Sequence, residues 1–230
     1  MPSAQGRAEA GVSAVALPLP RRDHWQASSW LVLRPGRGLG AAPAASQLGG
    51  SQYGVRLAYG LGPGRRLAAY GRLAGPLRGT GAEAAFGVEW QPGRAPVRLS
   101  IEHRFGLDGI HDGPGAGVVA GLDRGIAPGF RLEAYGQAGM ILRAERAPYA
   151  DGAVRLAREV AHGRRSVLAL GVGAWGAAQR EGQRVDIGPS LVAVVPIGSV
   201  RARLALDWRQ RIAGDARPGS GLALTLGSDF

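Results

Sequence analysis

Arginine and carboxylate side chains recur at alternate positions within several segments of this sequence, and that spacing is the first indication of chemistry. Between Val200 and Ile212, four arginines and one aspartate alternate with mostly apolar residues. Because successive side chains of a strand point to opposite faces, only a strand places these charges on one face. Arginine forks suit carboxylates and hydroxyl-rich ligands. The charged faces therefore either satisfy one another through ion pairs or line a conduit for an anionic or sugar-like solute.

The alternation assigns thirteen charged side chains to the inside of one barrel, where they would line a pore. They are Arg56, Glu89, Arg98, Glu102, Arg104, Arg131, Glu133, Asp186, Arg201, Arg203, Asp207, Arg209 and Arg211. Glu83, Arg143, Arg155, Glu159 and Asp229 extend this inward set to ten arginines and eight acids. Such a near balance predicts ladders of ion pairs between neighbouring strands.

Catalytic chemistry finds little support in the sequence. His103 and Ser100 fall on opposite faces of one predicted strand, so they cannot meet as base and nucleophile. The strand–turn–helix signature Gly-x-Ser-x-Gly of serine hydrolases does not occur. We therefore expect that the protein is not an enzyme.

Metal and nucleic-acid binding are also poorly supported. Asp108, His111 and Asp112 share a glycine-rich loop, but their number and spacing match no calcium-binding loop. We expect no metal and no other cofactor. The net charge of +11 comes from arginines that are interleaved with acids, whereas a nucleic-acid binder clusters its basic residues on one face. No nucleic-acid partner is expected.

The elements that position these residues are predicted to be strands throughout. From Trp25 onward the apolar period is two, which gives about twelve strands of roughly nine to thirteen residues. A tilted membrane strand needs about 9–11 residues, whereas soluble strands average about 5–6. The predicted fold class is all-β, an antiparallel transmembrane β-barrel of about 12 strands. A soluble lipocalin-like barrel would instead need an apolar interior and would carry the arginines outside.

The connections predict how this barrel sits in the bacterial cell outer membrane. Residues 1–24 are interpreted as a flexible periplasmic N-terminal segment and residues 25–230 as the barrel. Connections at 35–51, 106–116 and 213–220 are long, whereas those at 62–64 and 196–199 are tight. Bacterial barrels have short periplasmic turns and long external loops, so the long connections are predicted to be external. Arginines at 37, 78, 146, 180 and 217 would there meet lipopolysaccharide phosphates.

Apolar positions supply two further signals of an outer-membrane protein. Aromatic residues occur near strand ends on the apolar faces, where interfacial girdles form; they are Tyr53, Trp90, Phe105, Phe130 and Trp208. The last predicted strand ends the chain, and its apolar face is expected to be the signal that the barrel-assembly machinery recognises. The residues of this face are Leu222, Leu224, Leu226 and Phe230. Outer-membrane lipid, lipopolysaccharide and the barrel-assembly machinery are accordingly the expected partners.

Several glycine-punctuated stretches resemble the C-terminal domain of the bacteriophage adsorption protein A family, over about residues 25–230. They include Gly49-Gly50-Ser51-Gln52-Tyr53-Gly54, Leu132-Glu133-Ala134-Tyr135-Gly136-Gln137, Asp186-Ile187-Gly188-Pro189 and Asp207-Trp208-Arg209-Gln210-Arg211. The resemblance implies an outer-membrane barrel that serves as an envelope polysaccharide export or transport conduit and as a phage receptor. It adds polysaccharide and phage to the expected partners. The alternative is a structural or adhesion barrel with a plugged lumen and no transport.

Deleting Phe230 should impair assembly into the outer membrane, because the terminal aromatic closes the apolar face of the last strand. The measurement is the yield of folded protein in isolated outer membranes, compared with that of the intact chain. Normal yield of the truncated chain would contradict the assignment of the assembly signal.

Overall fold

The computed structural model describes residues 24–35, 50–62, 64–163, 165–180, 182–197 and 200–229. Within these ranges the chain forms twelve strands and no helix long and apolar enough to cross a membrane. The strands are β1 Trp25–Leu33, β2 Gln52–Leu61, β3 Leu67–Pro76, β4 Glu83–Trp90, β5 Val97–Gly106, β6 Gly113–Ala127, β7 Phe130–Leu142, β8 Arg146–His162, β9 Val167–Gln179, β10 Gly182–Ile197, β11 Val200–Ala213 and β12 Gly221–Asp229. The predicted all-β class and strand number are confirmed.

Each strand pairs antiparallel with the next, and β1 pairs with β12, so the sheet is a closed barrel. The closing pair runs from Ser28 opposite Asp229 to Leu33 opposite Leu224. The hydroxyls of Ser29 and Ser228 lie 3.0 Å apart across this seam. Closure leaves no strand edge unpaired, which a sheet in hydrocarbon requires. We call the end where β1 begins and β12 ends the terminal end, and the other end the loop end.

The two faces of the wall are inverted relative to a soluble protein. Large apolar side chains such as Ile101 and Val172 are exposed on the outer face. The buried apolar side chains are mostly small and lie on the inner face, among them the packed cluster of Ala157, Ala169 and Val192. An apolar outer face and a polar inner face are what lipid outside and a lumen inside require.

Aromatic residues mark both rims of the outer face. Trp25 and Tyr59 pack together at the terminal end with ring centroids 4.8 Å apart, and Trp90 and Phe130 lie at the same end. Phe105 lies near the loop end, where its ring is 6.2 Å from that of Phe86. The predicted girdle residues therefore occupy outward positions near strand ends, with Trp208 opposite Leu222 where β12 begins.

Several connections are shorter than the sequence predicts. The predicted loop 106–116 narrows to 107–112, because β6 already begins at Gly113 and pairs with β5. A Cβ on Gly113 would lie 2.1 Å from the carbonyl oxygen of Leu142, so glycine at the start of β6 permits a close approach to the end of β7. Residues 1–23 of the predicted N-terminal segment 1–24, loop residues 36–49 and Phe230 lie outside the described residues, as does the side chain of Asp229.

Gly188 is a point where β10 closely approaches β11, and it separates two charged or polar positions on the inner face. It lies on the inner face of β10 between Asp186 and Ser190. A Cβ at this position would lie 1.8 Å from the carbonyl oxygen of Trp208 on β11. Because the obstacle is backbone rather than a mobile side chain, relief requires β10 and β11 to separate.

Replacing Gly188 with alanine should destabilise the barrel by about 1–3 kcal/mol, because the added methyl group forces the two strands apart. Gly221→Ala is the matched control, since a Cβ there would meet no atom within 4 Å. Urea unfolding in detergent micelles, followed by tryptophan fluorescence, measures both variants. Equal stability of the two variants would contradict this account of the β10–β11 contact.

Candidate functional site: the charged lumen

All thirteen residues predicted to be inward lie on the inner face of the barrel. Exposure alternates between inner and outer positions along most strands. It does not along β7, where Arg131 and Glu133 are placed by their contacts with Asp123 and Arg203. Contacts between strands that are not neighbours can run only through the lumen. The predicted inward side chains are Arg56, Glu89, Arg98, Glu102, Arg104, Arg131, Glu133, Asp186, Arg201, Arg203, Asp207, Arg209 and Arg211. Their placement agrees with the sequence pattern, while their role as pore lining stays a prediction.

One group of side chains crosses the lumen between β7, β8 and β11, and we call it the Asp207 network. Arg155 donates to Asp207 at 3.2 Å and to Glu133 at 3.2 Å. Arg203 donates to the same Glu133 from the far side of the lumen. Ser190 donates its hydroxyl to Asp207 at 2.6 Å, so a carboxylate with no exposed surface is held by three strands.

A second group, the Glu102 network, lies on the opposite part of the wall. Tyr70 donates to Glu102 at 2.7 Å, and Arg104 donates through Nε at 2.6 Å. Arg72 lies 3.3 Å from the same carboxylate. Arg104 also faces Glu83, to which Arg143 donates from the connection between β7 and β8.

These contacts differ from the predicted ladders between neighbouring strands. Arg155 and Asp207 lie three strands apart, and Arg203 and Glu133 lie four strands apart. The bore of a small closed barrel is narrow, so long arginine side chains reach across it as well as along its wall. Neighbouring-strand pairs also occur, such as Arg98 with Glu89 at 2.9 Å and Arg131 with Asp123 at 2.5 Å.

The lumen carries more positive charge than the sequence predicts. Among the described residues, twelve arginines share seven carboxylates in the ion pairs of the inner face. Asp151 lies on the same face, where Tyr135 and Gln137 donate to it. The predicted inward set of ten arginines and eight acids did not include Arg34, Arg72, Arg184, Asp123 or Asp151. Glu159 pairs instead with His162 at 3.5 Å, at the exposed terminal end.

Three arginines of these pairs were missed in the sequence. Arg72 lies on β3, whose faces the weak pattern does not define, and Arg34 follows the last residue of β1. Arg184 precedes Asp186 by two positions and so shares its face, a signal that the sequence does contain.

Protein atoms fill the bore at the level of these pairs. Asp186 and Asp207 are 0 % exposed and Arg104 is 1 % exposed. Side chains in a wide water-filled channel would be exposed, so the ion pairs narrow the lumen here. At the loop end the connection 214–220 folds inward, because Arg211 donates to the carbonyl oxygens of Ala216 at 2.5 Å and Pro218 at 2.9 Å.

The other candidate residues lie outside the lumen pairs. Asp108 accepts hydrogen bonds from the backbone amides of Gly81 and Ala82, and Asp112 accepts one from Gly106, so both carboxylates organise loops. His103 contacts Phe105 on the outer face, on the side of the wall opposite Ser100. Leu222, Leu224 and Leu226 occupy outward positions of β12.

The structure describes most, but not all, of the arginines predicted to contact lipopolysaccharide phosphates. Arg180 pairs with Glu145 at the loop end, where both side chains are more than half exposed. Arg146 begins β8 at the same end and is exposed. Arg37 lies outside the described residues.

Comparison with known proteins shows the fold. No family model matches the chain, and no curated protein gives a significant match. Among solved structures, an outer membrane channel from Pseudomonas putida F1 is similar with a TM-score of 0.53 at 10% identity, covering 95% of this chain and 99% of that one. The β domain of a Bordetella autotransporter gives 0.47 at 12% identity, covering 90% and 98%. LpxR from Salmonella typhimurium gives 0.44 at 9% identity, covering 89% and 99%. The protein has the fold of the bacterial outer-membrane β-barrels.

Glu133→Gln should lower the free energy of unfolding by about 3–5 kcal/mol, because it leaves Arg203 buried without its carboxylate. Urea unfolding in micelles provides the measurement. The double variant Glu133→Gln/Arg203→Gln should regain a large part of that loss, because it removes the uncompensated charge as well.

Glu145→Gln is the matched control for this pair, since it breaks an exposed ion pair with Arg180 and should change stability little. Arg203→Gln alone completes the cycle. If the double variant loses the sum of the stabilities lost by the two single variants, the two side chains are not energetically coupled and the assigned contact is wrong.

Proposed function

We propose that this outer-membrane barrel is a narrow, anion-preferring conduit whose lumen is closed at rest by ion pairs. The surplus of arginine carries the proposal: twelve arginines share seven carboxylates in the ion pairs of the described lumen. Rings of one charge are how pores select ions, and arginine favours carboxylate and phosphate groups.

Closure by ion pairs differs from closure by a packed apolar plug. When an arginine releases a carboxylate of the barrel wall and binds a carboxylate of a solute, it still has an equivalent hydrogen-bonded partner. Arg155 and Arg203 share Glu133, so one of them can turn to a passing anion while the other still neutralises the wall. A cation cannot exchange in this way, because each carboxylate of these inner ion pairs is already bound by one to three guanidinium groups.

Envelope polysaccharide is the solute class that we propose for this conduit, with phage adsorption at the external loops. The proposal rests on the resemblance of the chain to the bacteriophage adsorption protein A family, and acidic sugar units would match the arginine surplus. Outer-membrane lipid, lipopolysaccharide and the barrel-assembly machinery remain the proposed partners. The proposal assigns no catalytic role to the chain.

A barrel without transport is the second candidate, and a specific observation favours it. Asp186, Asp207 and Arg104 have almost no exposed surface, and the connection 214–220 folds inward over the loop end. If these contacts never open, the external loops are the functional surface and the charged lumen is a structural filling.

Conductance of the refolded full chain in a planar bilayer distinguishes the two candidates. The conduit should show reproducible small open steps with chloride preferred over potassium in a salt gradient. Glu133→Ala/Arg203→Ala removes one bridge across the lumen and should raise the unit conductance about twofold or more. Glu145→Ala/Arg180→Ala, which breaks an exposed pair outside the lumen, should leave it unchanged.

Insertion without steps, in the wild type and in the bridge variant alike, would overturn the conduit and support the plugged barrel. Open steps with preference for potassium would contradict the role assigned to the arginine surplus. Equal rises in conductance for the bridge and control variants would show that the bridge is not the constriction.

A further inference from the structure

Three arginines pair with a single carboxylate, Asp186, near the loop end, and Arg209, which pairs with Asp207, lies beside them; we call these residues the Asp186 cluster. Arg211 donates to Asp186 through Nε at 2.7 Å, and Arg184 donates to the other carboxylate oxygen. Arg34 lies 3.7 Å from Asp186 and donates to the carbonyl oxygen of Gly219 at 3.0 Å. Arg209 is near enough to act on the charge of Arg34.

The positive charge of this cluster lacks enough partners among the described residues. Nε and one terminal nitrogen of Arg34 have no hydrogen-bond partner, and neither has one terminal nitrogen of Arg184 or Nε of Arg209. The side chains of Arg34 and Arg184 are only 2 % and 5 % exposed. Buried donors left unpaired and buried like charges are both costly, so the cluster is electrostatically incomplete.

The titration of Arg34 reflects the same imbalance. Its guanidinium follows β1 and lies outside the membrane-spanning strands. Burial, followed by the charges of Arg184 and Arg209, lowers the pKa of Arg34 to about 9. A bound anion would raise the pKa of Arg34, because its negative charge opposes the effect of the neighbouring arginines.

The surroundings limit what can complete the cluster. The inner wall separates it from lipid, so a lipid headgroup in the bilayer cannot reach it. Arg209 and Arg211 retain 16 % and 13 % of their side-chain exposure, which leaves access from the lumen. The near-complete burial of Arg34 and Arg184 restricts the site to a compact group. Guanidinium forks match the oxygens of phosphate and carboxylate.

We propose that the Asp186 cluster is a binding site for a compact oxyanion, a phosphate or carboxylate group that enters through the lumen and is held between Arg34 and Arg184. This site goes beyond the proposed conduction, because a permanently closed barrel would retain it. The anion supplies the missing acceptors and neutralises part of the surplus charge.

Calorimetric titration of the refolded full chain with inorganic phosphate tests the site directly. The protein is held in a non-ionic, sugar-headgroup detergent without lipid and at constant ionic strength. Saturable binding is expected for the wild type. Arg184→Gln should raise the dissociation constant for phosphate about tenfold or more, because a charge-assisted hydrogen bond to the anion is lost. Arg180→Gln, an exposed loop-end control, should bind as the wild type does.

A second readout separates an anion site from a purely structural cluster. Without phosphate, Arg184→Gln should unfold at the same or a higher urea concentration than the wild type, because it removes uncompensated charge. Arg34→Gln provides the same test at a position outside the strands. Absence of saturable phosphate binding by the wild type, or equal binding by the Arg180→Gln, Arg184→Gln and Arg34→Gln proteins, would overturn the proposal whether or not the barrel conducts.

Discussion

Pairing of β1 with β12 is the constraint on which the rest of the structure depends. A sheet in hydrocarbon cannot leave backbone amides and carbonyls unpaired, so the wall must close on itself. Closure divides every strand into a lipid face and a lumen face. The alternating charged side chains therefore point into the lumen. The bore is narrow, so side chains from distant strands, such as Arg203 and Glu133, come into contact.

Confinement of these charges creates a conflict between stability and function. A buried ion pair often contributes less to stability than a packed apolar pair of the same volume, because both charges lose their hydration. A barrel that only needed a filled interior would be served by small apolar residues, as at Ala157, Ala169 and Val192. The arginine surplus around Asp186 and Glu133 adds buried charge that the proposed interaction with anions would compensate.

The sequence predicted the fold and the faces because both follow from a local period. Val200–Ile212 shows its two faces directly, and the structure retains them in β11. Contact partners such as Arg155 and Asp207 were beyond prediction, because they depend on strand tilt and stagger around the closed ring. Arg72 was missed since β3 is rich in alanine and glycine, and loop 106–116 was overestimated because glycine and proline at its end are usually turn residues.

Charge is distributed unequally along the lumen, and this gives the barrel a direction. Toward the terminal end, Arg131 meets Asp123 in a one-to-one pair, and Glu89 is shared by two arginines, Arg56 and Arg98. Near the loop end, three arginines pair with Asp186 beside the inward connection 214–220. An anion therefore meets its strongest attraction beside the loop end rather than midway through the wall. In the predicted topology that end faces the outside, so the Asp186 cluster is the first anion site for a solute that enters from outside and the last for one that leaves.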